Sequence, residues 1–216
     1  MIWTQWSDLK IPNGLTHLPT DGVTPRQEDL SKITFYVPAY MFGAAALVPI
    51  AKMSSLKVIQ SPNAGVDDVI ALRPAGVTLC NAAGVHDAST AELAVGLAIA
   101  ARRGFAQFAI DQSAGKWSHT TYASLTDSKV AIVGHGNIGK TIAGMLAGFE
   151  VEITSFSKSG SDGALKMDKF DALLPTFDVI ILIVPLNSET RHLMNANRLA
   201  AMKDGAALIN VARGAV

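Results

Sequence analysis

Short apolar runs alternate along the chain with segments whose small and apolar residues suit a helix. Several of the runs are apolar at almost every position, which is typical of strands covered on both faces. The strand candidates are residues 33–37, 56–59, 77–79, 130–133, 151–156, 179–184 and 206–211, and the helix candidates are 66–72, 89–103, 139–147 and 195–202. This alternation predicts an α/β fold built on parallel sheets, with 206–211 as a central buried strand.

One helix candidate, residues 89–103, carries small residues on every side, as expected of a helix that packs closely between two domains. The segment after it, residues 104–127, is polar and mixed until the strand candidate at 130 begins. We therefore predict one domain at residues 1–88 and a second at 89–216, joined by this helix.

Composition and charge narrow the class of protein. The 216 residues include 18 basic and 18 acidic side chains, so there is no excess positive charge to hold nucleic acid. A single cysteine cannot form an internal disulfide, which favours a reducing, cytoplasmic compartment. The N-terminus lacks a signal-peptide pattern, and the uncharged stretch 33–51 is broken by Pro38, Gly43 and Pro49, so no membrane span is expected. The histidines lack metal-ligand spacing, which predicts no metal site.

The most informative stretch is a glycine-rich turn between a strand and a helix candidate. Gly134, Gly136 and Gly139 follow the apolar run 130–133 and precede a helical pattern. In such a turn the first glycine permits the tight bend, the second lets a pyrophosphate approach the backbone, and the third lets helix and strand pack closely. The helix N-terminus offers N–H groups to phosphates. The spacing predicts a dinucleotide site, the alternative being a glycine-rich turn without a ligand.

The end of the next strand bears on which dinucleotide binds. An acidic residue there would accept hydrogen bonds from the ribose hydroxyls of NAD. Here the strand ends in Ser157 and Lys158, and Glu152 points to the other face if the strand is regular. Small hydroxyls and a cation suit the 2′-phosphate of NADP, so we favour NADP over NAD. The alternative is an ordinary solvated turn in a site that discriminates loosely.

Six motifs in order resemble the D-isomer-specific 2-hydroxyacid dehydrogenases, a family that includes phosphoglycerate, glyoxylate/hydroxypyruvate and D-lactate dehydrogenases. They are the loop 61–67, the segment 81–92 with Arg102, the tripeptide 115–117, the glycine turn, the loop 184–190 and the strand 208–214. The resemblance implies a flavodoxin-like N-terminal substrate domain, a Rossmann domain that binds NAD(P), and reduction of a small 2-oxo acid to the D-2-hydroxy acid. It also implies a homodimer formed through the nucleotide-binding domain.

The resemblance assigns roles to individual residues. Arg213 would hold the substrate carboxylate and polarise the 2-oxo group, as a planar cation with paired donors can. Ala64 and Gly65 would lie by the substrate and the nicotinamide, and Ser157 by the adenosine ribose. The other cofactor contacts implied are Asn137, Ile138, Val184, Pro185 and Val211. The family usually has glycine at the positions of Ser128 and Glu150, and an acidic residue at that of Ile70.

The sequence ends shortly after Arg213, at Val216. In the family the arginine is followed by a glutamate and by a histidine that gives a proton to the substrate. The resemblance therefore implies that this chain is a C-terminally truncated fragment, and we expect it to be inactive or slow by itself. The alternatives are a module that binds or senses NAD(P), or a non-catalytic fragment that does not fold stably.

Overall fold

A computed structural model describes residues 1–18 and 22–216 of the chain. It divides into two compact units, Met1–His86 and Asp87–Val216. Both contain parallel sheets with helices between the strands, so the predicted α/β fold is confirmed. The assignment of residues 1–88 and 89–216 to substrate and nucleotide-binding domains stays a prediction.

The first unit contains a four-stranded parallel sheet whose order follows the chain. Its strands are β1 (Ile2–Trp3), β2 (Phe35–Tyr36), β3 (Val58–Gln60) and β4 (Thr78–Cys80). The connections hold 3₁₀ helices at Gln27–Lys32, Val48–Lys52 and Ile70–Leu72, and the short helix α1 (Gly43–Leu47). The uncharged stretch 33–51 is thus divided among β2, α1 and a 3₁₀ helix.

A single bridge extends this sheet beyond β1. On one side of β1, the N–H of Ile2 donates a hydrogen bond to the carbonyl of Thr16, and the carbonyl of Ile2 accepts one from the N–H of Leu18. On the other side, which faces β2, the carbonyl of Trp3 accepts from the N–H of Val37. Counting His17 as an edge position, the order becomes 2-1-3-4-5, which is that of flavodoxin. The bridge is one residue pair, and the flavodoxin-like domain stays a prediction.

The core of the first unit lies around β2. Tyr36 is fully buried, and its hydroxyl donates to the carbonyl of Ala46 in α1 at 2.5 Å. Burial raises the pKa of this hydroxyl, which therefore stays a donor. The contact attaches α1 to the carboxyl end of the sheet, beside the loop that follows β3.

The helix predicted at residues 66–72 is wrong in extent. Only a turn and the 3₁₀ helix Ile70–Leu72 form there. The residue before Pro74 is disfavoured in helical geometry, and the β-branched residues of this segment have low helix propensity. The chain therefore has too few residues for a stable α-helix before β4.

The second unit is built on a five-stranded parallel sheet in the order β7-β6-β5-β8-β9. The strands are β5 (Lys129–Val133), β6 (Glu152–Ser157), β7 (Leu165–Lys166), β8 (Val179–Leu182) and β9 (Ala207–Asn210). The helices are α2 (Asp87–Arg102), α3 (Phe105–Ser113), α4 (Asn137–Leu146), α5 (Phe170–Leu173) and α6 (Ala196–Ala201), with 3₁₀ turns at Ala147–Phe149, Met167–Lys169 and Leu174–Thr176.

Each face of this sheet has its own core. Val130 and Ile132 of β5 face α2 and α4, where Ala91, Ala94 and Ile142 are fully buried. The alternate residues Ala131 and Val133 face the opposite core, whose aromatic members are Phe156, Phe170 and Phe177. Side chains of a strand alternate between faces, so a strand covered on both sides is apolar throughout.

One expectation for this unit is wrong, and one of its helices was not predicted. Within residues 206–211, Ala207–Asn210 form β9, which in the described chain lies at the edge of the sheet, and Asn210 in it is exposed. A continuous apolar run shows that a strand packs well but not which neighbours it has. The segment 104–127 contains α3, whose exposed Phe105 and Ile110 gave no amphipathic signal towards a core.

Two family departures have a structural explanation. Glu150 takes a left-handed backbone conformation (φ 54°), which favours glycine and costs another residue about 1–2 kcal/mol. Ser128 is buried, and its hydroxyl donates to the carbonyl of Ser124 at 3.3 Å. Ile70, in contrast, is exposed and nothing in the structure requires it.

Among the described residues, no single helix is long and apolar enough to cross a membrane. Helices α2 and α3 taken together are long and apolar enough, but the chain bends by 66° between them.

Asp178 joins β5 to the loop before β9. Its carboxylate accepts from the N–H of Lys129 at 2.9 Å and from Lys203 Nζ at 2.6 Å. Burial raises the pKa of this carboxyl, but the hydrogen bonds from Lys203 and Lys129 outweigh burial and leave the pKa below its usual value. The charged form is therefore the one that stabilises the fold.

Replacing Asp178 by Asn is expected to lower the free energy of unfolding by about 1–2 kcal/mol near neutral pH. Because the folded-state pKa is depressed, this contribution is complete above the ordinary carboxyl pKa of about 3.9 and is lost as the pH falls through the folded value. Urea unfolding across acidic and neutral pH measures it, with exposed Asp204→Asn as the control. A deficit that grows towards low pH would contradict the assignment.

Candidate functional site

The glycine turn after β5 has the geometry that its spacing predicts. A Cβ on Gly134, which has φ 118°, would lie 2.4 Å from the carbonyl oxygen of Ile183. A Cβ on Gly139 would lie 2.0 Å from the carbonyl oxygen of Gly134. Nothing lies within 4 Å of a Cβ built on Gly136. Packing therefore requires the outer two glycines, whereas the middle one borders open space.

Helix α4 begins at this open space. Gly136 is its N-cap residue, and no side chain caps it. The N–H groups of Asn137, Ile138 and Gly139 belong to the first turn, where a helix supplies no partner of its own. The helix has ten residues, its N-terminus is uncapped, and Gly136 has no Cβ to fill the adjoining space. This arrangement fits a pyrophosphate group.

The loop after β6 is tied to the glycine turn. The carbonyl of Asp162 accepts from His135 Nε2 at 3.1 Å, and its carboxylate pairs with Lys140 Nζ at 2.9 Å. The hydrogen bond from Lys140 lowers the pKa of the Asp162 carboxyl, helped by the charges of Lys140 and His135. These contacts position the loop that begins with Ser157 and Lys158.

Ser157 and Lys158 lie where β6 ends. The hydroxyl of Ser157 accepts from the N–H of Gly160 at 3.0 Å. Lys158 Nζ lies 2.6 Å from a carboxylate oxygen of Glu189, a pairing that sequence reasoning missed. Glu152, at the opposite end of β6, is exposed and pairs with Lys129 at 3.7 Å.

Two hydrogen-bonded turns shape the rest of this edge. After β8, Thr190 Oγ1 donates to the carbonyl of Pro185 at 2.6 Å, in the loop that includes Val184. After β9, the N–H of Val211 donates to the carbonyl of Leu182 at 3.1 Å. Asn210 donates to the carbonyl of Arg213 at 2.9 Å and accepts from the N–H of Ala212 at 3.0 Å. The exposed Arg213 donates to the carbonyl of Ala212 at 3.0 Å.

The topology of the second sheet brings most of the predicted site residues to one edge. The four strands β5, β6, β8 and β9 are parallel neighbours, so their carboxyl ends lie at one edge of the sheet. That edge carries the glycine turn and, at or just after the ends of the other strands, Ser157, Lys158, Val184, Pro185, Val211 and Arg213. In doubly wound sheets ligands bind at this edge, where the strand order reverses, here between β5 and β8.

Ala64 and Gly65 belong to the first unit, in the loop after β3. The carbonyl of Ala64 accepts from the Asn81 amide at 2.8 Å, and that of Pro62 accepts from His86 Nε2 at 3.3 Å. Because Ala64 C=O and Gly65 N–H belong to one peptide plane, Asn81 fixes the direction of that N–H. The motif at residues 81–85 did not by itself predict this hydrogen bond.

A pocket of about 240 Å³ adjoins this loop at the carboxyl ends of β2 and β3. Most of the residues that line it are of apolar type, Ser61 and Asn63 are neutral polar residues, and Asp68 is the only charged residue among the described residues that line it. No group of three or more possible metal ligands occurs in the described part of the chain.

Comparison of the sequence with known protein families shows which family the chain belongs to. The family model for the NAD binding domain of D-isomer specific 2-hydroxyacid dehydrogenases matches residues 95–216. The chain belongs to this family. The Rossmann prediction for the second unit is thereby confirmed.

Individual relatives agree with this family. The chain is 33% identical over 166 residues to a hydroxypyruvate reductase of Thermotoga maritima, an alignment of 74% of this chain and 54% of that protein. It is 31% identical over 175 residues to a D-3-phosphoglycerate dehydrogenase of Methanocaldococcus jannaschii, covering 76% of this chain and 33% of that one. A solved family member from Aeromonas salmonicida has a TM-score of 0.76 at 28% identity, covering 87% and 62%. The chain thus spans about half or less of these two sequence relatives.

Proposed function

We propose that this protein transfers hydride between NADP(H) and a small 2-oxo or 2-hydroxy acid. The observation that carries the proposal is the glycine turn, where Gly136 alone borders open space at the uncapped end of α4. When bound, the nicotinamide supplies or accepts the hydride. The chain's own residues bind and orient the two reactants.

The proposed cofactor contacts follow the carboxyl edge of the second sheet. The N–H groups of Asn137 and Ile138 hold the pyrophosphate, aided by the positive end of the α4 dipole. Ser157 and Lys158 take the 2′-phosphate, for which a hydroxyl and a cation are suited. The backbone at Val184, Pro185 and Val211 lines the cofactor. Tighter binding of NADH than of NADPH would contradict the NADP preference.

We propose substrate contacts for each unit taken by itself. In the second unit, Arg213 pairs with the substrate carboxylate and polarises its 2-oxo oxygen. In the first unit, the loop at Ala64 and Gly65 offers backbone N–H donors to an acid. The pocket beside that loop supports an acid with an uncharged side chain, because Asp68 would repel a phosphorylated one. A phosphorylated 2-oxo acid that binds as tightly as hydroxypyruvate would contradict this preference.

The exposed apolar side chains of the second unit support a homodimer. Phe105, Ile110 and Trp117 are 55%, 60% and 91% exposed, in the segment where the family resemblance locates the dimer interface. Three large apolar side chains this exposed within residues 105–117 favour a contact surface over chance exposure. A monomeric mass in analytical ultracentrifugation at micromolar concentration would contradict this proposal.

Replacing Arg213 by Gln is expected to weaken binding of hydroxypyruvate to the NADPH-loaded chain at least about tenfold, because a charge-assisted hydrogen-bond pair to the carboxylate is lost. Affinity for NADPH itself should not change. Isothermal titration of the loaded chain measures both affinities, and a thermal melt checks that the fold survives. The exposed Arg103→Gln serves as the control. Equal hydroxypyruvate affinity in Arg213→Gln and the unsubstituted chain would contradict the role of Arg213.

A further inference from the structure

An ion pair connects two loops at the carboxyl edge of the second sheet. Lys158 directly follows β6, and Glu189 lies in the loop after β8, with Nζ and Oε1 2.6 Å apart. In the sheet, β5 lies between β6 and β8. The pair therefore joins the two strands that flank the strand bearing the glycine turn.

Glu189 is held by a turn and not by a flexible loop. Asn187 Oδ1 accepts from the N–H of Glu189 at 2.9 Å and from the N–H of Thr190 at 3.0 Å. The hydroxyl of Thr190 ties this turn to the carbonyl of Pro185. The backbone of Glu189 is thereby fixed beside Lys158, while both charged side chains are exposed to solvent.

Lys158 is also the cation that the proposed function assigns to the 2′-phosphate, so the following inference rests on that function. We propose that Glu189 is a cofactor-selectivity residue that competes with the 2′-phosphate for Lys158. A phosphate monoester carries up to two negative charges, so its approach to Lys158 is opposed by the carboxylate. The uncharged ribose hydroxyl of NADH is not opposed in this way. Glu189 therefore weakens NADPH binding more than NADH binding.

The test is a titration of Glu189→Gln with NADPH and with NADH, followed by nicotinamide fluorescence. Glutamine has nearly the same size as glutamate. Its backbone N–H can still donate to Asn187 Oδ1, so the turn at residues 187–190 is preserved. We expect NADPH to bind about fivefold more tightly at low ionic strength, since one unit-charge repulsion at contact distance in water amounts to about 1 kcal/mol. NADH affinity should stay within about twofold, and the NADPH gain should shrink as salt screens the charges.

The chain offers a matched control. Glu152 forms an equivalent exposed pair with Lys129, at the opposite end of β5 and β6. Glu152→Gln removes the same charge from the same unit, and we expect no change in selectivity.

The outcomes separate the two proposals. If neither dinucleotide binds the folded, unsubstituted chain, the proposed function is wrong. If NADPH binds the chain but Glu189→Gln leaves its affinity unchanged or reduces it, the proposed function stands and the role of Glu189 is overturned. The role of Glu189 would also be overturned if Glu189→Gln raised the affinities for NADPH and NADH equally, or if Glu152→Gln raised the NADPH affinity as much. Either result would indicate a general charge effect.

Discussion

Replacing Gly139 by Ala is expected to destabilise the second unit by about 3 kcal/mol or more. The added Cβ would lie 2.0 Å from the carbonyl oxygen of Gly134, and that oxygen belongs to the backbone of the turn itself. A side-chain neighbour could rotate away, but here α4 must move from β5. Overpacking costs typically about 1–3 kcal/mol where side chains adjust, so a backbone clash lies at or above that range.

Urea unfolding of Gly139→Ala and of a control on the same helix measures this effect. Gly144 lies inside α4, and nothing is within 4 Å of a Cβ built there. Gly144→Ala should therefore leave the fold intact and stabilise it by up to about 1 kcal/mol, because alanine is the better helix former. Equal stability of the two variants would show that α4 does not pack against β5 as closely as described.

The second large effect is on binding and not on stability. Gly136 has φ −78°, which any residue adopts, and a Cβ there meets no protein atom within 4 Å. Gly136→Ala should therefore fold normally. The methyl group would occupy the space where we propose that the pyrophosphate approaches the backbone, so we expect dinucleotide affinity to fall at least about tenfold, or about 1.4 kcal/mol.

Melting and titration of the same Gly136→Ala sample distinguish the two effects. A normal melt with weakened NADPH binding is the predicted result, and Gly144→Ala again serves as the control, with unchanged affinity. Undiminished binding in a folded Gly136→Ala variant would show that the dinucleotide does not use this turn. A loss of stability beyond the roughly 1 kcal/mol that alanine costs at an N-cap would contradict the open space observed at Gly136.

The features that the sequence predicted most accurately are those determined by burial and close packing, namely the central strands and the glycine turn. β5 and β8 are flanked by strands and covered on both faces, so their apolar runs were unambiguous. The glycine spacing predicted the turn because steric exclusion acts on single residues such as Gly139. β1 and β7 contain only two residues each, too few for an alternation pattern, and they were missed.

Contacts between loops could not be predicted in this way. The pair of Lys158 and Glu189 depends on the order of strands in the sheet, which no local pattern encodes. One signal was available in the sequence, because Asn187 and Thr190 have the spacing of a side-chain-capped turn. Such a turn indicates a fixed loop, but which cation faces Glu189 follows only from the fold.

We propose above all that the carboxyl edge of the second sheet binds NADP(H). Its most direct test is a fluorescence titration of the purified chain with NADPH and, separately, with NADH, alongside a thermal melt. We expect a cooperative melt and saturable binding of both dinucleotides, with NADPH the tighter. A chain that melts cooperatively and saturates with neither dinucleotide would contradict it.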